Sequence, residues 1–124
     1  MSAPFLSLTV ASEDGVMRLR LAGVLDYDTS DGLIERAGAC VEEDPRAGQL
    51  HLDCEKLRLC DSTGLSALLM IHRRTTDRGI TLFLDNPPPF LERMLDVTGT
   101  RHLFAAENET SRQSRSDEIR ETTD

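Results

Sequence analysis

The sequence has no long apolar run and few large aromatic side chains. Its 124 residues include no tryptophan, and aromatic residues make up 4% of the chain. Nowhere do apolar residues follow one another for the roughly 18 positions that identify a transmembrane helix. The segment Met1–Leu8 has neither the positive region nor the apolar core of a secretion signal. We therefore expect a cytoplasmic protein that does not enter a membrane.

Basic residues are also scarce. The chain has 14 Lys and Arg against 22 Asp and Glu, for a net charge of -8, and its densest basic cluster is the pair Arg73 and Arg74. Proteins that bind nucleic acid neutralise phosphates with a stripe or patch of basic side chains, which is missing here. We expect no direct nucleic-acid partner. The length is typical of one domain, present as a monomer or a weak dimer.

The three cysteines do not suggest a disulfide framework. Cys40, Cys54 and Cys60 are odd in number and contain no Cys-x-x-Cys pair, which is typical of buried thiols in a reducing compartment. His51 could join Cys54 and Cys60 in a metal cluster. In a strand, however, His51 and Cys54 point to opposite faces, so we expect no metal site and no cofactor.

Hydrophobic periodicity and turn residues predict an α/β domain over residues 1–106 and a polar tail over 107–124. The second strand alternates between wet and buried positions, which favours an edge of the sheet. The element order is ββαβαβαβ, a mixed β-sheet with helices packed on it. The predicted strands and helices are Phe5–Val10, Val16–Leu21, a helix in the stretch Asp26–Glu43, Gln49–Cys54, helix Asp61–Arg78, Ile80–Leu84, a helix between Pro89 and Gly99, and Arg101–Ala105. The stretch of the first helix begins with the capping residues Asp28, Thr29 and Ser30.

The second helix has two different faces on a helical wheel. The arc predicted to pack on the sheet contains Leu65, Leu68, Leu69 and His72, with Gly64 and Ile71 at its border. An outward helix face usually carries charges, but this one has hydroxyls, a methionine and one arginine, which favours a docking surface for another protein. These outward residues are Ser62, Thr63, Ser66, Met70 and Arg73.

Ser62 lies in the first turn of this helix, behind the predicted N-cap Asp61. Free backbone N–H groups and the positive end of the helix dipole can accept an anion there. Acidic residues at predicted strand ends, namely Asp26, Asp28, Asp53 and Asp61, surround this position in the sequence. A phosphate on Ser62 would add roughly 1.5 to 2 negative charges and change the local field sharply.

Three segments resemble the STAS-domain anti-sigma factor antagonists. The stretch CDSTGLSALL is similar to the phosphorylation motif that opens their second helix, Gly23-Val24-Leu25-Asp26 is similar to their Gly-Glu-Leu/Ile-Asp segment, and PPPFLERMLDVTGTRHLF to a third conserved stretch of the family. The three segments occur in the family's order and at its distances, and the resemblance covers about residues 6–104.

The resemblance implies a regulatory function without catalysis by this chain. The family's phosphoacceptor falls on Ser62, with Thr63 as second choice, and Asp26 and Asp61 match acidic residues beside it. Family members bind an anti-sigma factor that is also a serine kinase, which supplies ATP and Mg²⁺, and phosphorylation releases the complex. The partner-binding residues expected from the resemblance and the wheel are Asp26, Asp61, Ser62, Thr63, Gly64, Ser66, Met70 and Arg73.

Three other functions compete with this interpretation. A STAS scaffold or ligand-binding module would keep the fold without phosphorylation, for example as a transporter-associated subunit. A response-regulator receiver would use Asp53 at a strand end, but it needs a late lysine, and the only lysine is Lys56. An enzyme would use His51, His72 or His102 as a base, but no nucleophile elbow or convincing carboxylate pair accompanies them.

Overall fold

The structure is a computed structural model that describes residues 5–105. The predicted tail, residues 107–124, lies outside them. None of the helices in this range has the length and apolar character needed to cross a bilayer. The elements are the strands β1 (Leu6–Glu13), β2 (Val16–Leu25), β3 (Gln49–Cys60) and β4 (Thr81–Asp85), the helices α1 (Ser30–Glu43), α2 (Ser62–Asp77) and α3 (Pro89–Thr98), and a 3-10 helix at Arg101–Leu103.

The first two strands form the predicted hairpin. Glu13 pairs with Val16, and the two residues between them, Asp14 and Gly15, have positive φ angles of 51° and 79°. This is the type I′ turn, whose twist matches that of the two strands, and an Asp-Gly pair is among its preferred sequences. The strands continue beyond the predicted ends because the hairpin pairs its residues up to this turn.

The sheet order is β1-β2-β3-β4, with β1 antiparallel to β2 and the other neighbours parallel. The alternation predicted for β2 is confirmed, since Met17 and Leu19 are buried while Arg18 and Arg20 are exposed. The predicted edge position of β2 is wrong, because this strand lies between β1 and β3. Alternation reports which face of a strand is wet, but it contains no information about which strands lie beside it.

Strand β3 is twice as long as predicted. It runs for 12 residues, from Gln49 to Cys60, so Asp53 does not end it. The pairing with β2 shifts register between Arg20 and Ala22 and again between Gly23 and Val24. Each shift breaks the period of two that identifies a strand in the sequence, which explains why the second half of β3 was missed.

Helices α1 and α2 pack against each other, α1 on β1 and β2, and α2 on β3 and β4. Their apolar sides meet the buried side chains of β2, β3 and β4. The buried face of α2 is rotated from the predicted one: Ile71, Ala67 and Thr75 are buried, whereas Leu69 and His72 are only partly buried. The largest fully buried side chains are Met17, Leu19, Leu21, Leu25, Leu33, Leu50, His51, Leu52, Leu68, Ile71, Thr75 and Leu91.

The predicted last strand does not form in the described part of the chain. Residues Arg101–Leu103 make a 3-10 turn, and one isolated parallel bridge joins Phe83 to Ala105. The Arg101 guanidinium bonds both carboxylate oxygens of Asp96, at 2.6 and 3.1 Å. This pair holds the segment against α3, so the chain continues to turn before it reaches β4. The observed order is therefore ββαβαβα.

The start of α2 approaches the end of β2 unusually closely at Gly64. A Cβ atom at this position would lie 2.6 Å from the carbonyl oxygen of Leu25 and 2.9 Å from the Cys60 sulfur. Real Cβ atoms do not make contacts this short, and one of the neighbours is backbone. Gly64 is therefore required for the position of the helix start.

We expect Gly64→Ala to lower the free energy of unfolding by about 2 kcal/mol, because the added methyl group forces α2 away from β2. Gly32→Ala in α1 is the matched control, since nothing lies within 4 Å of a Cβ there. This control should be neutral or slightly stabilising, by up to about 1 kcal/mol. Urea denaturation of both variants measures the effects, and equal stabilities would contradict the packing argument.

Candidate functional site

The candidate site lies where β2 and β3 end side by side. Leu25 and Cys60 are register partners, and the backbone N–H of Asp61 donates to the carbonyl of Leu25 at 3.2 Å. Asp26 follows one strand directly, and Asp61 follows the other. Because both strands end at the same side of the sheet, the loop after β2 and the start of α2 are neighbours.

Asp61 is the N-cap of α2, as predicted. Its backbone is extended, and its carboxylate oxygen Oδ1 accepts the N–H of Gly64 at 2.8 Å. The first N–H groups of a helix lack intrahelical acceptors. The cap satisfies that of Gly64, while Leu65 donates to the Asp61 carbonyl at 2.9 Å. The N–H groups of Ser62 and Thr63 are the two at this end that a bound anion can use.

Ser62 is exposed and is the first residue of α2, whereas Thr63 is only partly exposed. The hydroxyl of Ser62 is thus open to solvent at a helix N-terminus, where the helix dipole favours negative charge. Of the two predicted acceptors, Ser62 is the more accessible to another protein.

Asp26 organises the loop after β2. Its Oδ1 atom accepts the backbone N–H groups of Asp28 and Thr29, at 3.0 and 3.2 Å. The Thr29 hydroxyl donates to the Val24 carbonyl at 2.8 Å. These bonds fix the Asp26 carboxylate at the sheet end while it remains partly exposed. The helix α1 begins at Ser30 after the N-cap Thr29, which is one of the predicted capping residues.

The outward face of α2 is largely as predicted. Ser66, Met70 and Arg73 are exposed, and Met70 leaves 42% of its surface accessible. Gly64 requires a correction, because this residue of the expected partner-binding set is buried against Leu25. Its lack of a side chain lets the helix start lie close to β2, so Gly64 positions the exposed residues around it.

Asp53 does not belong to this site. It lies inside β3, and the chain from Asp53 to Asp61 spans up to about 26 Å at about 3.3 Å per residue. Its carboxylate pairs with Arg20 at 3.5 Å and accepts the side-chain N–H of Asn86 at 3.2 Å. The expected acidic ring is therefore reduced to Asp26, Asp28 and Asp61, and Asp53 is not at the strand end where a receiver would need it.

The cysteine thiols are buried and free. Burial, with a smaller effect of Asp61, raises the pKa of Cys60 to about 12, and burial also raises the pKa of Cys54. Such thiols stay protonated, which makes them poor nucleophiles and poor metal ligands. Within residues 5–105, no group of three or more His, Cys, Asp and Glu residues is arranged to hold a metal ion.

His51 is buried and in contact with three neighbouring side chains. Its side chain is 1% exposed and stacks on Phe83, with ring centroids 4.2 Å apart. Its Nδ1 lies 2.7 Å from Asp85 Oδ2, and its Nε2 lies 2.9 Å from Gln49 Oε1. A histidine closed off in this way is out of reach of a substrate. His72 is partly buried with its ring edge-on to Phe104.

Two exposed residues beside the site were missed by the sequence analysis. Tyr27 follows Asp26 and is 78% exposed, and Leu59 precedes Cys60 and is 46% exposed. An aromatic residue between two aspartates was the available signal for Tyr27. Leu59 was hidden because the irregular second half of β3 gave no indication of which of its residues face solvent.

A family profile described as "Mlab, STAS domain" matches residues 8–105. The chain belongs to this STAS-domain family. The match spans β2, β3, β4, the three helices and β1 from residue 8 on, and it includes both segments that form the candidate site. The observed mixed sheet and helix order agree with the STAS fold expected from the sequence.

Other proteins are similar to this chain in sequence or in fold. An anti-sigma F factor antagonist of Paenibacillus polymyxa is 26% identical over 94 residues, which are 76% of this chain and 80% of that protein. The antagonist SpoIIAA of Bacillus has a TM-score of 0.69 in its unphosphorylated form, at 18% identity, covering 89% of this chain and 97% of that one. The murine anion transporter Slc26a9 has a TM-score of 0.62 at 20% identity, covering 69% of this chain and 14% of that one.

We expect Asp61→Ala to lower the free energy of unfolding by about 1 kcal/mol, because the N–H of Gly64 loses its acceptor. Asp61→Asn is the matched control, since an asparagine oxygen can still cap the helix without a charge. Its stability should stay within about 0.5 kcal/mol of the wild type. Thermal and urea unfolding measure both, and equal losses for Ala and Asn would show that the charge, not the cap, matters.

Proposed function

We propose that this STAS domain is an anti-sigma factor antagonist that binds an anti-sigma factor with serine kinase activity and is released when Ser62 is phosphorylated. The observation that carries the proposal is the exposed Ser62 hydroxyl at the start of α2, on an outward helix face with Ser66 and Met70. The related anti-sigma F factor antagonist supports the same class of partner.

A phosphate on Ser62 can be accommodated without unfolding the helix. Asp61 already caps Gly64, and the N–H groups of Ser62 and Thr63 in the first turn of the helix remain available to a phosphate. The modification therefore acts on the surface rather than on the core, which suits a reversible switch.

The switch would work through charge. Asp26, Asp28 and Asp61 already make this end of the sheet negative, and the phosphate adds roughly 1.5 to 2 further charges. A partner surface that fits the unmodified serine would have to bury this extra charge, which is costly without new basic contacts. Phosphorylation thus lowers affinity because the added charge must be desolvated in a surface that is fitted to a neutral hydroxyl.

In this proposal the chain itself catalyses nothing. The kinase supplies ATP and Mg²⁺, transfers the γ-phosphoryl group to the Ser62 oxygen and takes up the hydroxyl proton through its own base. The buried His51 and the protonated thiols of Cys54 and Cys60 have no part in the reaction.

A second function is supported by the likeness to the anion transporter, in which a STAS domain is a small part of a much longer chain. In this alternative the domain is a scaffold for a transport protein, and its outward α2 face binds constitutively. The two functions differ in one testable property, which is whether Ser62 changes state.

We expect incubation with a cognate anti-sigma kinase and ATP to place one phosphate on Ser62. Peptide mass mapping identifies the position, and Ser62→Ala should abolish the label because the adjacent hydroxyl, on Thr63, is less exposed. Absence of label from both Ser62 and Thr63 would contradict the regulatory function and leave the scaffold function.

Among Ser62 variants, Ser62→Ala should bind the kinase like the wild type, whereas Ser62→Asp should bind about tenfold more weakly or worse. Ser12→Asp is the matched control, because Ser12 is exposed beside the hairpin turn at the other end of the sheet. It adds the same charge away from the site and should change the affinity less than about twofold. Calorimetric titration measures all three, and equal affinities would contradict the charge argument.

A further inference from the structure

We propose that the partner-binding surface continues from α2 over the end of the sheet to Tyr27 and Leu59, and that these two side chains anchor an apolar patch of the partner that is bordered by basic residues. The inference rests on the proposed function, because it takes the same anti-sigma kinase as the occupant. It extends the proposed interface beyond α2 to Tyr27 and Leu59. It also specifies the chemistry of the partner surface that contacts these two residues.

The two anchors are held at the same end of the sheet as Ser62. Leu59 pairs with Val24 and Cys60 with Leu25, so Leu59 lies beside the point where the chain leaves β2 for Tyr27. Ser62 follows Leu59 by three residues, past the Asp61 cap. The residue before β1 also lies at this end of the sheet, because Val24 donates its N–H to the Phe5 carbonyl at 3.1 Å.

Both anchors expose far more apolar surface than their own fold requires. Tyr27 is 78% exposed and Leu59 is 46% exposed, in a chain that has a single tyrosine. Tyrosine is enriched among the residues that dominate binding energy, because it combines a large apolar surface with few rotatable bonds. The loop bearing Tyr27 is tied down by the Asp26 and Thr29 hydrogen bonds, which lowers the entropy lost on binding.

The charges around these anchors specify the partner further. Within residues 5–105, the ion pairs of arginine involve other carboxylates, and none of them involves Asp26, Asp28 or Asp61. These three negative charges flank Tyr27 and Leu59 in the chain. Complementarity therefore requires arginine or lysine around the apolar patch of the partner. An acidic or purely apolar surface would leave the three carboxylates uncompensated.

This arrangement also explains why one phosphate would be sufficient to release the partner. A dianion on Ser62 stands beside side chains that the complex must desolvate. The basic rim of the proposed partner is matched to Asp26, Asp28 and Asp61, so a dianion on Ser62 would be buried against the apolar patch without a basic partner, which costs affinity. The apolar anchors thus make the interface sensitive to a local change of charge.

The test compares Tyr27→Ala and Leu59→Ala with Val97→Ala, using the kinase that labels Ser62. Val97 is 80% exposed on α3, so its variant controls for loss of an exposed apolar side chain elsewhere. We expect each anchor variant to raise the Kd about tenfold or more, and the Val97 variant to change it less than about twofold. Raising the salt concentration should weaken binding of the wild type, because the rim contacts are ionic.

A second measurement does not depend on the variants. Hydrogen exchange of the wild-type protein in the complex should show protection at residues 26–28 and 58–60, in addition to the start of α2. If the wild type binds and Ser62→Asp weakens binding, but the anchor variants bind normally or this protection is absent, the inference is overturned while the proposed function stands. If the wild type does not bind the kinase, both are overturned.

Discussion

The structure depends on the contact between the start of α2 and the end of β2. Gly64 brings the helix backbone against the Leu25 carbonyl, and Asp61 donates its N–H to the same carbonyl while its side chain caps the helix. Leu25 is fully buried, so this contact joins the core directly to the surface. Any displacement of α2 would move Ser62 and the residues after it together.

This constraint produces a rigid surface from otherwise ordinary parts. The loop after β2 is fixed by hydrogen bonds within residues 24–29, and the helix start is fixed by the cap and by packing. Two short segments from different parts of the chain thereby present a serine, three carboxylates and two exposed apolar side chains at one end of the sheet. A site on fixed elements can respond to a single modification without a change of fold, because only the surface charge changes.

The face of the sheet that carries Arg18 and Arg20 is stabilised by polar contacts between neighbouring strands. Arg18, Arg20, His51, Asp53 and Asp85 form neighbouring rows across β2, β3 and β4. His51 and Asp85 bond at 2.7 Å, and both arginines reach carboxylates at 3.5 Å. These polar groups satisfy one another across strands, which supports the parallel register there. In the sequence, His51 could be taken for a catalytic base and Asp53 for a receiver aspartate. These contacts show that both residues instead stabilise the sheet.

The sequence by itself determined the α/β class, the hairpin, the three helices and the capped start of α2. These features depend on local rules of turn chemistry, capping and periodicity, as Asp14-Gly15 and Asp61 illustrate. Only the tertiary structure decided that β2 is internal, that β3 continues through two register shifts, and that Arg101–Leu103 form a 3-10 turn. It also decided that Gly64 is buried, that Asp53 lies far from Ser62, and that Tyr27 and Leu59 flank the site. Strand neighbours, register and exposure at a sheet end are set by contacts between distant residues, which a pattern along one chain segment does not contain.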